Sequence, residues 1–186
     1  MGDGNCGFRA AAVSMGRPSV DWIDVKREML QEFDSNPIFK DSKFMENVWG
    51  QTYKEARKHL NHLSGPAALP FWMHFPGDGY LLAETFKRPV VLLSATMPCL
   101  YLPLNSLPPP KILPICLALL EQQRHIVAFS FKDSLWPSPK IDLCWKYYCN
   151  RDGKAWLPSI EKNLKLGLEV LFPPERRSSR IQKIYI

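Results

Sequence analysis

The sequence predicts an α+β domain, because its helical and strand-like segments are separated along the chain instead of alternating. Residues 8–86 carry apolar side chains mainly at helical spacing, whereas residues 89–131 contain short apolar runs bounded by turn residues. Helices followed by strands are typical of the α+β class. A chain of 186 residues can bury one sizeable core. We therefore expect one domain over residues 1–170 and a basic, disordered tail over residues 171–186.

The first part of the chain is predicted to be helical. Apolar residues recur at offsets of 0, 3, 4 and 7 from Phe8, so they share one face of a helix. Similar spacing continues from Trp22 to Phe33, with charged residues between the apolar positions. The run Gly77-Asp78-Gly79 introduces a later helix, which must end before Pro89. The predicted helices cover residues 8–15, 22–33, 44–49, 53–60 and 80–86.

The middle of the chain is predicted to form a small β-sheet. Residues 89–94 are a short apolar, β-branched run between turn signals, which is typical of a buried strand. Residues 100–104 are expected at the edge of the sheet. Residues 112–120 and 125–131 supply two further strands. A terminal helix is predicted over residues 156–166, and no packed structure is expected beyond Pro173-Pro174.

Composition narrows the class of protein. No stretch approaches the roughly 20 apolar residues of a membrane span, and the start, Met1-Gly2-Asp3, does not resemble a signal peptide. Five cysteines are an odd number for a disulfide framework, which indicates reduced thiols in the cytoplasm or nucleus. The net charge is +6, and residues 175–183 carry much of it. A solvated tail explains this charge better than a nucleic-acid site, which stays an alternative.

Cys6 is the predicted nucleophile. It ends a Gly/Asn turn within the run Gly2–Ala10 and lies where the first helix should begin. Free backbone N–H groups and the helix dipole favour a thiolate at such a position. A thiol catalyst also needs a distant base, and His125 is the candidate because it stands at the first residue of a predicted strand. A purely structural histidine is the alternative at that position.

Two other groups of residues were considered as sites. Cys144 and Cys149, four positions apart, could be combined with His59 and His62 into a zinc site, but neither pair has a regular finger context. We therefore expect no metal and no cofactor. Trp136 lies between a strand and a Pro-rich loop and is a candidate for lining a substrate groove, although core packing explains most tryptophans better.

The run Asp3-Gly4-Asn5-Cys6-Gly7-Phe8-Arg9-Ala10 resembles the nucleophile motif of the OTU (ovarian tumour) cysteine proteases, most of whose characterised members are deubiquitinases. The resemblance extends over about residues 2–165. It includes Pro89–Leu93 as the central strand and Arg124–Val127 as the strand of the catalytic histidine. The run Pro137-Xaa-Pro139 and the later Trp145 resemble a plant and fungal subgroup that is often linked to transposable elements.

The resemblance implies a reaction and a role for each motif residue. Cys6 would attack an isopeptide between the C-terminal glycine of ubiquitin, or of a ubiquitin-like protein, and a lysine. His125 would serve as base and then as acid, and the backbone of the loop containing Gly4 and Asn5 would bind the oxyanion. Asp3 would shape this loop. The family fold implied is a small central sheet packed between helices, acting as a monomer without a cofactor.

Two departures from the family motif keep a second function open. Many OTU enzymes carry Asp or Asn two residues after the histidine to orient its ring, whereas this chain has Val127. The orienting group would be Asp3, Asn5, Asp133 or none, and Asp3 is our choice. Family members also have chain upstream of the motif, which here begins next to Met1. The alternative is therefore a truncated or inactive ubiquitin-binding module derived from a mobile element.

Overall fold

The computed structural model describes residues 3–133 and 135–172, and within these ranges the chain is a mixed α+β domain. Eight α-helical segments and four strands were found there. A four-stranded sheet lies among the helices, which confirms the predicted fold class. The helices are α1 Cys6–Ser14, α2 Trp22–Ser35, α3 Ser42–Phe44, α4 Tyr53–Leu60, α5 Gly77–Phe86, α6 Trp145–Tyr148, α7 Arg151–Lys154 and α8 Trp156–Leu171.

The sheet has the strand order β2-β1-β3-β4, with β1 and β3 parallel and the other two pairs antiparallel. Its strands are β1 Val90–Leu93, β2 Cys99–Tyr101, β3 Ile115–Leu120 and β4 His125–Ala128. All four were predicted, although each is shorter than expected. β3 begins after Pro114, because proline has no N–H to donate to a sheet. β2 lies at an edge of the sheet as predicted. Leu100 N in β2 donates a hydrogen bond to the carbonyl oxygen of Lys140, which lies in the loop before α6.

The sheet and α1 share one core. Phe8, Ala11 and Ala12 are fully buried, as their helical spacing predicts, and Ile115 and Leu117 are buried on the sheet. Small residues let α1 approach the sheet closely. Strand β4 lies at an edge of the sheet, where Ile126 is buried and His125 is exposed.

The terminal part of the described chain covers one side of this core. Helix α8 is longer than predicted and runs to Leu171, with Trp156 and Ile160 buried. No helix among residues 3–133 and 135–172 is long and apolar enough to cross a membrane. Of the tail predicted over residues 171–186, Leu171 still belongs to α8, and residues 173–186, with their possible nucleic-acid role, lie outside the described residues.

Candidate active site

Cys6 is the first residue of α1, as the sequence predicts, and its side chain is half-buried. The turn before it requires a backbone that most residues avoid, because Gly4 has φ +76°. Helix α1 begins without a side-chain cap. The N–H groups of Cys6, Gly7 and Phe8 have no hydrogen-bond acceptor within the described part of the chain. These free donors lie beside the Cys6 thiol, where an oxyanion would form.

Asn5 differs from the expectation that its backbone binds an oxyanion. Its N–H donates to Asp3 Oδ1 at 3.0 Å, so this donor is already occupied. Its fully buried side chain donates from Nδ2 to the carbonyl oxygens of Asp3 and Gly65, each at 3.3 Å. Asn5 therefore holds the loop together, and the uncapped first turn of α1 supplies the free donors.

The loop before Cys6 is held from outside by residues 65–72. Ala67 N donates to Asp3 O at 2.7 Å, and Trp72 Nε1 donates to Ala67 O at 2.9 Å. A Cβ on Gly4 would lie only 2.2 Å from Ala67 O. The two segments are thus in direct backbone contact, and only glycine fits between them.

Asp3 is bound to Arg9 and makes no hydrogen bond with His125. Arg9 donates to Asp3 Oδ2 from Nε at 3.1 Å and from Nη2 at 2.5 Å. The hydrogen bond from this guanidinium lowers the pKa of the Asp3 carboxyl, so Asp3 is an anion at neutral pH. Asp3 shapes the loop, as the resemblance implies, but both of its oxygens are engaged elsewhere than at the histidine.

His125 and Cys6 line the same cavity of about 300 Å³, together with Asp3 and Arg9. β4 presents His125 at its first residue, directly after Arg124, whose φ of +48° makes a sharp turn from β3 into β4. The His125 side chain is exposed. Its ring forms no hydrogen bond with Cys6 or with an acid among residues 3–133 and 135–172. The tertiary fold therefore brings the thiol and the imidazole to one opening without locking them together.

A second cavity of about 470 Å³ opens on another side of Cys6. Its walls are largely apolar and include Trp72, Met73 and Ile126, with Glu121 and Arg124 also lining it. Cys6 lines both cavities, so the thiol can be approached from two directions.

No orienting acid for His125 is found among the described residues. Val127 occupies the position two residues later and lines the Cys6 cavity. Asp133, one of the alternatives, lines a different cavity of about 400 Å³. Asp3 and Asn5 are engaged in the loop. Of the options considered from the sequence, the absence of an orienter agrees best with this geometry.

Trp136 is a core residue in the structure, not part of the Cys6 cavity. It is 3% exposed, and its ring stacks on Phe131 with the ring centroids 6.0 Å apart. Its carbonyl accepts a hydrogen bond from Asn163 Nδ2 at 3.0 Å. Burial of the ring against Phe131 therefore explains this tryptophan better than a substrate groove.

The residues of the zinc alternative lie in other environments. His59 Nε2 is 2.9 Å from Asp78 Oδ2, and both side chains are buried. No cluster of three or more His, Cys, Asp or Glu side chains suited to a metal ion occurs within the described ranges. Burial raises the pKa of Cys144 and Cys149 and raises that of Cys99 to about 12, which makes these thiols poor nucleophiles.

The contacts that Arg9 and Trp72 make around the Cys6 loop, and the burial of Lys26 next to α1, were not predicted from the sequence. Arg9 and Trp72 carry no local signal, because their partners are set by the tertiary fold. Lys26 is fully buried: its Nζ donates to His62 O at 3.0 Å and lies 4.6 Å from the centroid of Phe8. Burial lowers its pKa to about 8. Its position four residues after Trp22, within the apolar stripe of α2, could have identified it as buried.

The chain matches no protein-family sequence model and no curated protein. Its fold is similar to the crystal structure of the viral OTU domain protease from Dera Ghazi Khan virus, with a TM-score of 0.47 and 16% sequence identity. The likeness covers 68% of this chain and 74% of that chain. It concerns the fold and carries no information on activity.

Proposed function

We propose that this protein is a thiol-dependent isopeptidase that removes ubiquitin or a ubiquitin-like protein from lysine. The observation that carries the proposal is the cavity shared by Cys6 and His125 at the uncapped start of α1. A thiol, an imidazole and free backbone N–H groups at one opening are the parts that cysteine-dependent acyl transfer needs. The choice of ubiquitin rests on the resemblance of residues 3–10 to the OTU motif.

In this mechanism Cys6 Sγ adds to the carbonyl carbon of the scissile bond, and His125 accepts the thiol proton. The oxyanion is bound by the free N–H groups at the start of α1. His125 then gives the proton to the departing lysine amine, and the C–N bond breaks to leave a thioester on Cys6. Water attacks the thioester while His125 takes its proton, which releases a carboxylate and restores the thiol.

Because no acid among the described residues partners His125, the proposal predicts modest catalysis and not a complete loss. Without an orienting group the imidazole samples several directions and both tautomers. Hydrogen bonds at catalytic groups are often loose before substrate binds. In this proposal, substrate that fills the two cavities around Cys6 restricts the motion of His125.

The test is a ubiquitin probe with a C-terminal electrophile, followed by turnover of a fluorogenic ubiquitin C-terminal amide. We expect a covalent adduct that is lost in Cys6→Ala and kept in Cys149→Ala, a control at another half-buried thiol. His125→Ala should lower turnover by about 10²-fold or more. An adduct that persists in Cys6→Ala, or no adduct with the wild type, would contradict the proposal.

The second candidate is an inactive module, derived from a mobile element as in the plant and fungal subgroup, that binds ubiquitin without cleaving it. The observation in its favour is the His125 ring, which has no hydrogen-bond partner among the described residues. This candidate predicts saturable binding of ubiquitin that Cys6→Ala leaves unchanged, with no turnover. Turnover dependent on both Cys6 and His125 would exclude it. In either form we propose a monomer of the cytoplasm or nucleus.

A further inference from the structure

We propose that Arg9 is a positioning residue of the Cys6 site, which holds Asp3 and thereby the loop that leads into the nucleophile. This inference rests on the proposed thiol chemistry and adds a residue to it. Arg9 follows Cys6 by three positions on α1, so its side chain starts from the same side of the helix as the thiol.

The guanidinium group of Arg9 is held by contacts with Asp3, Ser19 and Trp22. Nε and Nη2 donate to Asp3 Oδ2, while Nη1 donates to Ser19 O at 3.3 Å. The guanidinium carbon lies 5.4 Å from the ring centroid of Trp22, which adds a cation–π contact. All three guanidinium nitrogens are therefore committed to the protein. Arg9 lines the Cys6 cavity, yet it acts on the site through Asp3.

Asp3 passes this restraint to the nucleophile. One carboxylate oxygen binds Arg9 and the other accepts the N–H of Asn5, the residue immediately before Cys6. The Asp3 carbonyl is held in addition by Ala67 N. A chain of contacts thus runs from Arg9 through Asp3 to Asn5, and it sets the direction in which Cys6 and its N–H point.

Charge gives a second reason for the pairing. Asp3 lines the same cavity as Cys6, where negative charge develops on the oxyanion. An unpaired carboxylate there would oppose the developing oxyanion. The Arg9 guanidinium neutralises it. Loss of Arg9 should therefore lower the rate of acyl transfer more than it lowers substrate binding.

The experiment compares Arg9→Gln and Arg9→Lys with Arg17→Gln. Arg17 pairs with Glu28 at an exposure matching that of the Arg9–Asp3 pair, with both arginine side chains 34% exposed. Three quantities are measured: kcat and KM on the ubiquitin amide, the rate of Cys6 alkylation by iodoacetamide, and the affinity for a glycyl-glycine aldehyde. The aldehyde forms a hemithioacetal, in which Cys6 Sγ bonds to the carbonyl carbon and the thiol proton moves to the oxygen.

We expect Arg9→Gln to lower kcat and aldehyde affinity by about 10²-fold, with KM and the alkylation rate changed less than about threefold. Arg9→Lys should recover part of the loss, because lysine keeps the charge and one contact. Asp3→Asn should cause a similar loss, and the double variant should be no worse than either single one. Arg17→Gln should leave all three quantities unchanged.

The two proposals fail differently. If the wild type binds the aldehyde but never cleaves the ubiquitin amide, the proposed substrate is wrong. The positioning role of Arg9 would then be judged from aldehyde affinity alone. Aldehyde affinity within threefold of wild type in Arg9→Gln would overturn the positioning role. So would equal losses of alkylation and aldehyde affinity, because these indicate general damage to the helix. A wild type that binds no aldehyde would overturn both.

Discussion

Replacing Gly4 by alanine would probe how tightly the nucleophile loop is held. Gly4 has φ +76°, a conformation that costs a non-glycine residue about 1–2 kcal/mol. The added Cβ would lie 2.2 Å from Ala67 O and 2.5 Å from Trp72 Nε1. Neither atom can move freely. Ala67 N donates a hydrogen bond to Asp3 O, and Trp72 Nε1 donates a hydrogen bond to Ala67 O.

The structure sets the size of the displacement. To relieve the contact from 2.2 Å to at least 3.0 Å, the loop must retreat from Ala67 by about 0.8 Å. Gly4 lies two residues before Cys6, so a shift of this size reaches the thiol and the first-turn N–H groups. Because a misplacement of about 1 Å can cost on the order of 10²-fold in rate, we expect kcat/KM to fall by about 10²-fold.

The assay is steady-state cleavage of the ubiquitin amide, with thermal unfolding measured on the same samples. Gly16→Ala is the matched control: Gly16 has φ +80° and no atom within 4 Å of an added Cβ. It carries similar backbone strain without a collision, at the far end of α1. Both variants should lose about 1–2 kcal/mol of stability from strain, and only Gly4→Ala should lose activity.

A folded Gly4→Ala protein with activity within about threefold of wild type would refute the reasoning, since a loop displaced on this scale should cost far more. Equal losses of activity in Gly4→Ala and Gly16→Ala would also refute it. That result would trace the effect to backbone strain and not to the contact with Ala67.

Three further predictions concern the support of the fold. The folded pKa of Lys26 is about 8 against an ordinary 10.5, so the unfolded chain binds more protons between these pH values. As pH rises from 8 to 10.5, the free energy of unfolding of the wild type, measured by urea titration, should therefore increase relative to that of Lys26→Met by up to about 1.4 kcal/mol per pH unit. If both proteins show the same dependence of stability on pH, the burial of Lys26 is contradicted. Glu84→Gln should lower the free energy of unfolding in denaturant by about 1.5–3 kcal/mol, because buried Glu84 accepts hydrogen bonds from Leu104 N and Asn105 N at 2.7 and 3.1 Å. An unchanged free energy of unfolding would show that the charge at this position is unimportant. Trp136→Ala should lower the free energy of unfolding by about 3–5 kcal/mol. At temperatures where the variant is folded, its KM for the ubiquitin amide should be unchanged, and a raised KM would support the hypothesis that Trp136 lines a substrate groove.

Local signals were enough to predict most elements. The spacing of Phe8, Ala11 and Ala12 identified α1 and its buried face, and the run at residues 89–94 identified β1. These signals succeed because side chains repeat with the period of the element that buries them. Strand ends were less accurate, since hydrogen bonding to a neighbouring strand decides where a strand stops.

The candidate site was only partly accessible from the sequence. Cys6 was placed at the start of a helix by its own turn, and that position is confirmed. The role of His125 as its base stays a prediction, although both residues line one cavity. Asp3 was expected to orient the histidine, yet it binds Arg9. The local sequence does not distinguish these two partners, because the tertiary fold decides which side chains the Asp3 carboxylate meets.

The sequence by itself determined most of the element types, the buried face of α1 and the start of that helix at Cys6. These depend on neighbours within a few residues, and such contacts are written in the spacing. Only the tertiary structure decided that Ala67 and Trp72 hold the loop, that Arg9 binds Asp3, and that His125 lines one cavity with Cys6 although 119 positions separate them in the chain. Those pairings arise when the core closes, since burial of apolar surface brings together side chains that share no local pattern.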